Sequence, residues 1–199
     1  MLTKKQIQIL KIFAENMPSE LTFKEIKIKS KQKSNNLLQT ALKEFLKQNI
    51  ILAKKIGNVH TYKLNLKNNL TLSYLDVLNQ SKNNLPVKIS NLLEEIQLAI
   101  NGETTFFILL VFGSYAKSKD TKKSDLDVAV IIESDHQRKK IIPLLETIKR
   151  RELIKIDYHI LLSSEYIEML SEKFENLAKQ IQKNNLIIYG YTNYIRLFF

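Results

Sequence analysis

Two runs of β-forming apolar residues, Phe106 to Phe112 and Leu126 to Ile132, enclose the segment GSYAKSKDTKKSD, and this unit constrains the chain more than any other feature. Each run is far too short to cross a membrane and is bounded by turn-forming residues, so each reads as a buried strand. The spacing predicts a turn at Gly113-Ser114, a short helix beginning at Tyr115-Ala116-Lys117, and then a polar, charged loop. Asp125 and Asp127 stand at the start of the second strand. Strand side chains alternate between faces, so acids two apart point the same way, with roughly 7 Å between their Cα atoms.

Two carboxylates on one face, beside a glycine turn, suit a metal-bound polyphosphate. Glycine lets the backbone approach an oxygen closely. A helix start offers unpaired N–H groups, and Ser114 adds a hydroxyl donor. Mg²⁺ is commonly held by one or two carboxylates together with phosphate oxygens, a role open to Asp125 and Asp127. A third acid lies further on. The run Ile154 to Leu162, IKIDYHILL, reads as another strand with Asp157 inside it. A charged Asp in such apolar surroundings is costly unless it is paired or binds a cation. The bland alternative for Asp157 is a strand-edge acid that meets water. Three carboxylates about 5 Å apart repel by roughly 3 kcal/mol per pair at an effective dielectric of 20, and bound divalent ions relieve that repulsion.

With Gly113-Ser114, ten intervening residues and then Asp125-Leu126-Asp127, the chain resembles the minimal nucleotidyltransferases of the DNA polymerase β superfamily, whose signature is GSX10DXD. Ala116, Ser124 and Val130 also fit that pattern, and Asp157 stands where the family has its third carboxylate. The resemblance covers about residues 86–199. It implies that Asp125, Asp127 and Asp157 are the catalytic and metal-holding residues, with Asp157 joining one metal or acting as base. It implies that Gly113 and Ser114 grip the triphosphate, that the cofactor is Mg²⁺ or Mn²⁺, and that ATP or another NTP is the substrate. Two departures are small: Ser118 replaces a frequent Gly and Tyr115 a frequent Arg. His159 shares a strand face with Asp157, although a lone His is more often structural. Lys117, Lys119, Lys122 and Lys123 lie in the loop between the motif halves, where a solvated surface is the simpler reading.

Charge divides the chain. Residues 1–66 contain thirteen lysines and four glutamates, a net +9 of the whole chain's +11. Such a block implies an anionic partner, nucleic acid before membrane; lysine used as a generic solvated residue would be spread evenly. Helical spacing appears over Thr3 to Asn16 (Ile7, Leu10, Phe13, Ala14), over Thr22 to Ser30 (Phe23, Ile26, Ile28) and over Ser34 to Gln48 (Leu37, Leu38, Ala41, Leu42, Phe45). Pro18-Ser19 breaks the first of these. A hairpin follows, Ile50 to Ile56 and Val59 to Leu66, about the turn Gly57-Asn58. Three helices and a hairpin resemble a winged helix-turn-helix domain. In such a domain the third helix enters the major groove and the wing touches the backbone. Asn35, Asn36, Gln39 and Lys43 on that helix, and Lys54, Lys55 and His60 on the wing, are then the candidate DNA contacts. The competing reading is a winged helix used for protein contact or dimerisation.

The expected organisation is a winged helix over 1–66, a linking helix and linker over 67–85, and a nucleotidyltransferase domain over 86–199. The expected break is Lys82-Asn83-Asn84-Leu85-Pro86. The catalytic fold is expected to be α/β (α+β) with a small mixed sheet. Its helices are read over Val87 to Ile100, His136 to Arg151, Ser164 to Phe174 and Glu175 to Asn184. The apolar, aromatic tail from Asn184 to Phe199 reads as a last strand or helix against the sheet, or as a partner surface through Leu197, Phe198 and Phe199; a homodimer is among the expected partners. The absence of cysteine excludes disulfides and cysteine-based zinc sites. No signal peptide or membrane span is read, and the chain is expected in the cytoplasm with no membrane partner.

Three functions follow from this reading. The first is transfer of NMP, AMP from ATP above all, onto an acceptor, with DNA binding by the winged helix. Within the family likeness that acceptor includes a HEPN-domain toxin, the present chain being its antitoxin. The second is a DNA-binding regulator with an inactive catalytic domain. The third is an antitoxin that acts by binding alone. Three costly carboxylates favour the enzyme.

Overall fold

The computed structural model describes residues 2–17, 19–80, 85–117, 119, 121 and 124–198. Of the sequence expectations, those on Pro18, Lys82, Asn83, Asn84, Ser118, Lys122, Lys123 and Phe199 lie outside these residues. The chain divides into two compact units, Met1–Leu78 and Asn79–Phe199.

The first unit begins with α1, Lys4–Glu15, whose start is fixed by a capping box between Thr3 and Gln6. A two-residue strand β1, Leu21–Thr22, precedes α2, Phe23–Lys29, capped reciprocally by Thr22 and Glu25. Helix α3, Asn35–Lys47, starts on the Ser34 side chain. The hairpin is β2, Ile51–Ile56, with β3, Val59–Leu64, and β1 adds a third antiparallel strand beside β3. That short strand has no periodic signal and was not expected. Ile9, Leu10, Phe13, Ile26, Leu38, Leu42 and Phe45 bury their side chains together. Ile28, read as part of the apolar face of α2, is instead 65 % exposed. Helix α4, Asn69–Gln80, is tied to the corner between α3 and β2. Asn68 Nδ2 donates to the Gln48 carbonyl at 2.9 Å, and the Thr71 hydroxyl to the Ile50 carbonyl at 3.2 Å. The helix read as a linker therefore packs as part of this unit.

The second unit is a four-stranded mixed sheet covered by helices. In chain order it runs α5 (Val87–Asn101), β4 (Ile108–Phe112), α6 (Gly113–Ala116), β5 (Leu126–Ile132), α7 (Asp135–Arg151), β6 (Ile156–Leu162), α8 (Ser163–Ser171), α9 (Leu177–Lys183), β7 (Asn185–Tyr189) and α10 (Tyr191–Arg196). The sheet order is β6-β5-β4-β7. Strands β5 and β6 are parallel, joined through α7, and the other two pairings are antiparallel. Strand β4 starts at Ile108 and leaves Phe106 69 % exposed. The tail supplies both a strand and a helix: β7 pairs with β4, and Tyr194 and Ile195 of α10 are buried. Among the described residues no helix is long and apolar enough to cross a membrane.

Alternation along the strands decides where the acids go. Leu126, Val128, Val130 and Ile132 of β5, with Leu109, Val111 and Ile156, join one core beneath α5 (Leu92, Leu93, Ile96) and α7 (Ile141, Leu145). The residues between them, Asp127 on β5 and Asp157 on β6, therefore take the opposite face. Each is the second residue of its strand, and β4 ends nearby at Phe112 because it runs antiparallel to β5. One end of the sheet thus collects the starts of β5 and β6, the end of β4 and the start of β7, where Asn185 pairs with Phe112.

Candidate active site

At that end of the sheet Asp127 and Asp157 are direct partners in the parallel ladder, and Asp125 is one step outside it. Half-buried Asp127 is the middle of the group. Its carboxylate lies so close to Gly113 that a Cβ built there would stand 1.9 Å from Oδ2 and 2.8 Å from Cγ. Gly113 also has φ +67°, in the region disfavoured for L side chains. Two independent constraints, contact and dihedral, therefore demand glycine at this corner. The backbone N–H of Ser114 donates to Asp127. The Gly-Ser turn thus seats the middle acid itself, and one of the N–H groups expected for phosphate is engaged by that acid. Helix α6 begins at Gly113 rather than after it and is a single turn.

The charges around the site are unevenly matched. Burial first, then the charges of Asp157 and Asp125, push the Asp127 carboxyl above its ordinary range, with His159 and the Ser114 N–H pulling the other way. Lys155 Nζ bonds Asp125 Oδ2 at 2.5 Å, and all three acids hold the ammonium in its charged form, Asp125 most strongly. His159 Nε2 stands 3.7 Å from Asp157 Oδ2, and its ring lies 5.9 Å from that of Phe112. Asp157 is on an edge strand with its side chain 56 % exposed, so it meets water and faces Asp127 at once.

The donor set suits a hard divalent cation: neighbouring carboxylates, one of them disfavoured as an anion by burial and then by the other two. Among the described residues, however, no three His, Asp or Glu side chains are already gathered into a coordination sphere. Asp125 is drawn to Lys155 and Asp157 toward His159, leaving Asp127 between them. The sheet brings Asp127 and Asp157 to one face and one end, and Asp125, just before β5, is near enough to act on Asp127 electrostatically. Gly113 and Ser114 lie against the same group. Of the loop lysines, Lys117 caps the end of α6 and lines a cleft beside the site.

That cleft, about 280 Å³, is bounded on one side by Phe112, Gly113, Lys117 and Asp127 and on the other by Glu175, Gln180, Lys183 and Asn184. With the site's geometry in view, the comparison with known families is decisive. The model of the polymerase beta nucleotidyltransferase domain matches residues 94–193, half of the chain. The chain belongs to this family. It is a nucleotidyltransferase, and membership implies a nucleoside triphosphate substrate and, as is general in the family, divalent metal. The matched span contains Gly113, Ser114 and all three acids. A comparison with curated proteins finds no match.

Two features of this nucleotidyltransferase site escape the motif. Lys155 was legible in principle: in a parallel pair where Asp127 faces Asp157, the residue two before Asp157 must lie beside the residue two before Asp127. The contribution of α9 was not legible, because it depends on how β7 returns to β4.

The crowding of Asp127 has a measurable sign. A carboxyl raised in the folded chain costs stability once pH exceeds its ordinary, unfolded value, and the full cost is present above the raised value. Asp127→Asn removes it. At pH 7 with chelator, the variant is expected to melt slightly higher than the parent, on the order of 1 °C because the site is partly solvated. The difference should vanish below the ordinary carboxylate range, and the stabilisation of the parent by Mg²⁺ should be lost. A variant that melts lower at pH 7 contradicts the crowding.

Proposed function

We propose that this nucleotidyltransferase moves AMP from ATP onto a hydroxyl of a protein acceptor, a HEPN-domain toxin for which it is the antitoxin, and that residues 1–66 are a winged helix that binds DNA. The observation that carries the catalytic reading is the seat of Asp127: its carboxylate pressed on Gly113, bonded by the Ser114 N–H and set opposite Asp157 in the ladder. A structural acid would not require a positive-φ glycine and a second acid across the strand.

In this reading the acceptor oxygen forms a bond to the α-phosphorus of ATP, and the bond from that phosphorus to pyrophosphate breaks. The hydroxyl proton passes to Asp157, whose exposed position leaves it accessible to an acceptor, or to water. Asp125, Asp127 and Asp157 would hold the divalent ion, Mg²⁺ or Mn²⁺. When bound it lowers the pKa of the attacking hydroxyl and stabilises the leaving pyrophosphate. Gly113 holds the backbone close to the phosphates, and the Ser114 hydroxyl remains as a donor to them.

The DNA reading is supported by exposure and charge. Asn35, Asn36, Gln39 and Lys43 are all exposed on α3, β2 is exposed after Ile51, including Lys54 and Lys55, and β3 exposes Val59, His60 and Lys63. Lys24, Gln39, Lys43 and His60 line one cleft of about 790 Å³ within this unit. A helix and an adjoining hairpin, both solvated and basic, are the parts that meet groove and backbone in a winged helix.

Incubation with α-labelled ATP, Mg²⁺ and a HEPN-domain toxin as acceptor should label that protein, and Asp125→Ala or Asp127→Ala should reduce labelling at least a hundredfold. Absence of label with the parent chain contradicts the transfer reading. DNA affinity should fall about a hundredfold or more between 50 and 200 mM salt if some five lysines meet phosphates. A flat salt response contradicts the winged-helix reading.

A further inference from the structure

The sequence motif provides acids, a tight turn and, on the cleft wall, the cation Lys117, and a polyphosphate calls for another. The fold supplies one from a distant segment. Because β7 starts at Asn185 opposite Phe112, the end of α9 arrives beside Gly113. Lys183 and Glu175 thereby line the cleft that Gly113, Lys117 and Asp127 line from the other side. Lys183 Nζ lies 2.9 Å from both oxygens of Glu175. Both side chains are more than half exposed, so little energy holds them together.

Resting on the nucleotidyl-transfer reading, we propose that this cleft takes the phosphate chain of the nucleoside triphosphate, and that Lys183 is its binding cation, parked on Glu175 until phosphate replaces that carboxylate. Size agrees with this. At about 280 Å³ the cleft falls just under small-molecule sites that enclose a whole ligand, roughly 300 Å³ and above, so it holds a phosphate chain while the base projects outward. Charge agrees as well. Once a divalent ion has engaged Asp127, the remaining charged groups on the walls are Lys117, Lys183 and Glu175, a surplus of positive charge facing the turn. A phosphate chain, with several anionic oxygens, is a stronger partner for an ammonium than a single solvated carboxylate across a surface pair. The exposed amides of Gln180 and Asn184 on the same wall offer donors and acceptors to the adjoining sugar.

The exchange of partners makes opposite predictions for the two residues. Binding of a non-hydrolysable ATP analogue in Mg²⁺ is to be measured by calorimetry on the full chain. Lys183→Gln should weaken it about tenfold or more, a lost charge-assisted bond. Glu175→Gln should tighten it severalfold by freeing Lys183. The double variant should bind like Lys183→Gln alone, because Glu175 acts only through Lys183. Melting curves for each variant should stay near the parent's, as the pair is exposed. Parent-like affinity in Lys183→Gln, or equal tightening by Glu175→Gln with and without Lys183, overturns the assignment while leaving nucleotidyl transfer intact. Failure of the parent chain to bind the analogue overturns both.

Discussion

The contact between the Asp127 carboxylate and the Cα of Gly113 is the constraint on which the rest of this site depends. It joins the two halves of a motif fourteen positions apart, and it can form only because β4 and β5 are antiparallel neighbours. β4 ends where β5 begins. Any side chain at 113 would occupy the space of the acid, so the glycine serves first as room for Asp127 and only then as a flexible turn. The Ser114 N–H fixes the carboxylate from the same corner. Turn, strand register and central acid are one structural unit, and the helix-start donors that a phosphate would use are partly committed to it.

The second feature is how the fold tolerates three acids at one sheet end. Each outer acid has a basic neighbour: Lys155, just before β6, for Asp125, and His159 on β6 for Asp157. The central acid is the more buried, and burial first, then its two acidic neighbours, raise its proton affinity against the pull of the turn N–H and the imidazole. The site is therefore poised rather than closed. In the proposed mechanism a divalent ion would draw two carboxylates from exposed, weakly held partners, by rearrangement of side chains alone. Lys155 and Lys183 stand in equivalent relations to it, one on the acid side and one on the far wall of the cleft, each paired with a carboxylate across solvent.

Much of this was legible in the sequence because it is carried by local patterns. Strand β5 spans Leu126–Ile132, the bounds that its run of β-forming apolar residues predicts, and the apolar spacing of α3 matches its buried face. The capped starts at Thr3 and Ser34 fall where a hydroxyl precedes helical spacing. Long-range effects were illegible. β1 is two residues held by β3, and nothing in Leu21-Thr22 announces it. Ile28 has the right type but the wrong side of a two-turn helix. The tail could be read as strand, helix or interface because it is rich in apolar and aromatic residues from end to end, and pairing with β4 divides it into β7 and α10. Within the site, the acids and the turn came from spacing, Lys155 from strand register, and α9 from the sheet's closing strand.

The most direct test is a crystal structure of the chain soaked in Mn²⁺ with a non-hydrolysable ATP analogue, read by anomalous scattering. The account predicts a manganese peak bridging Asp127 and a second acid of the trio, with the Lys155–Asp125 pair opened and Asp127 still lodged against Gly113. Manganese bound elsewhere, with Asp127 and Asp157 sharing no ion, would contradict it.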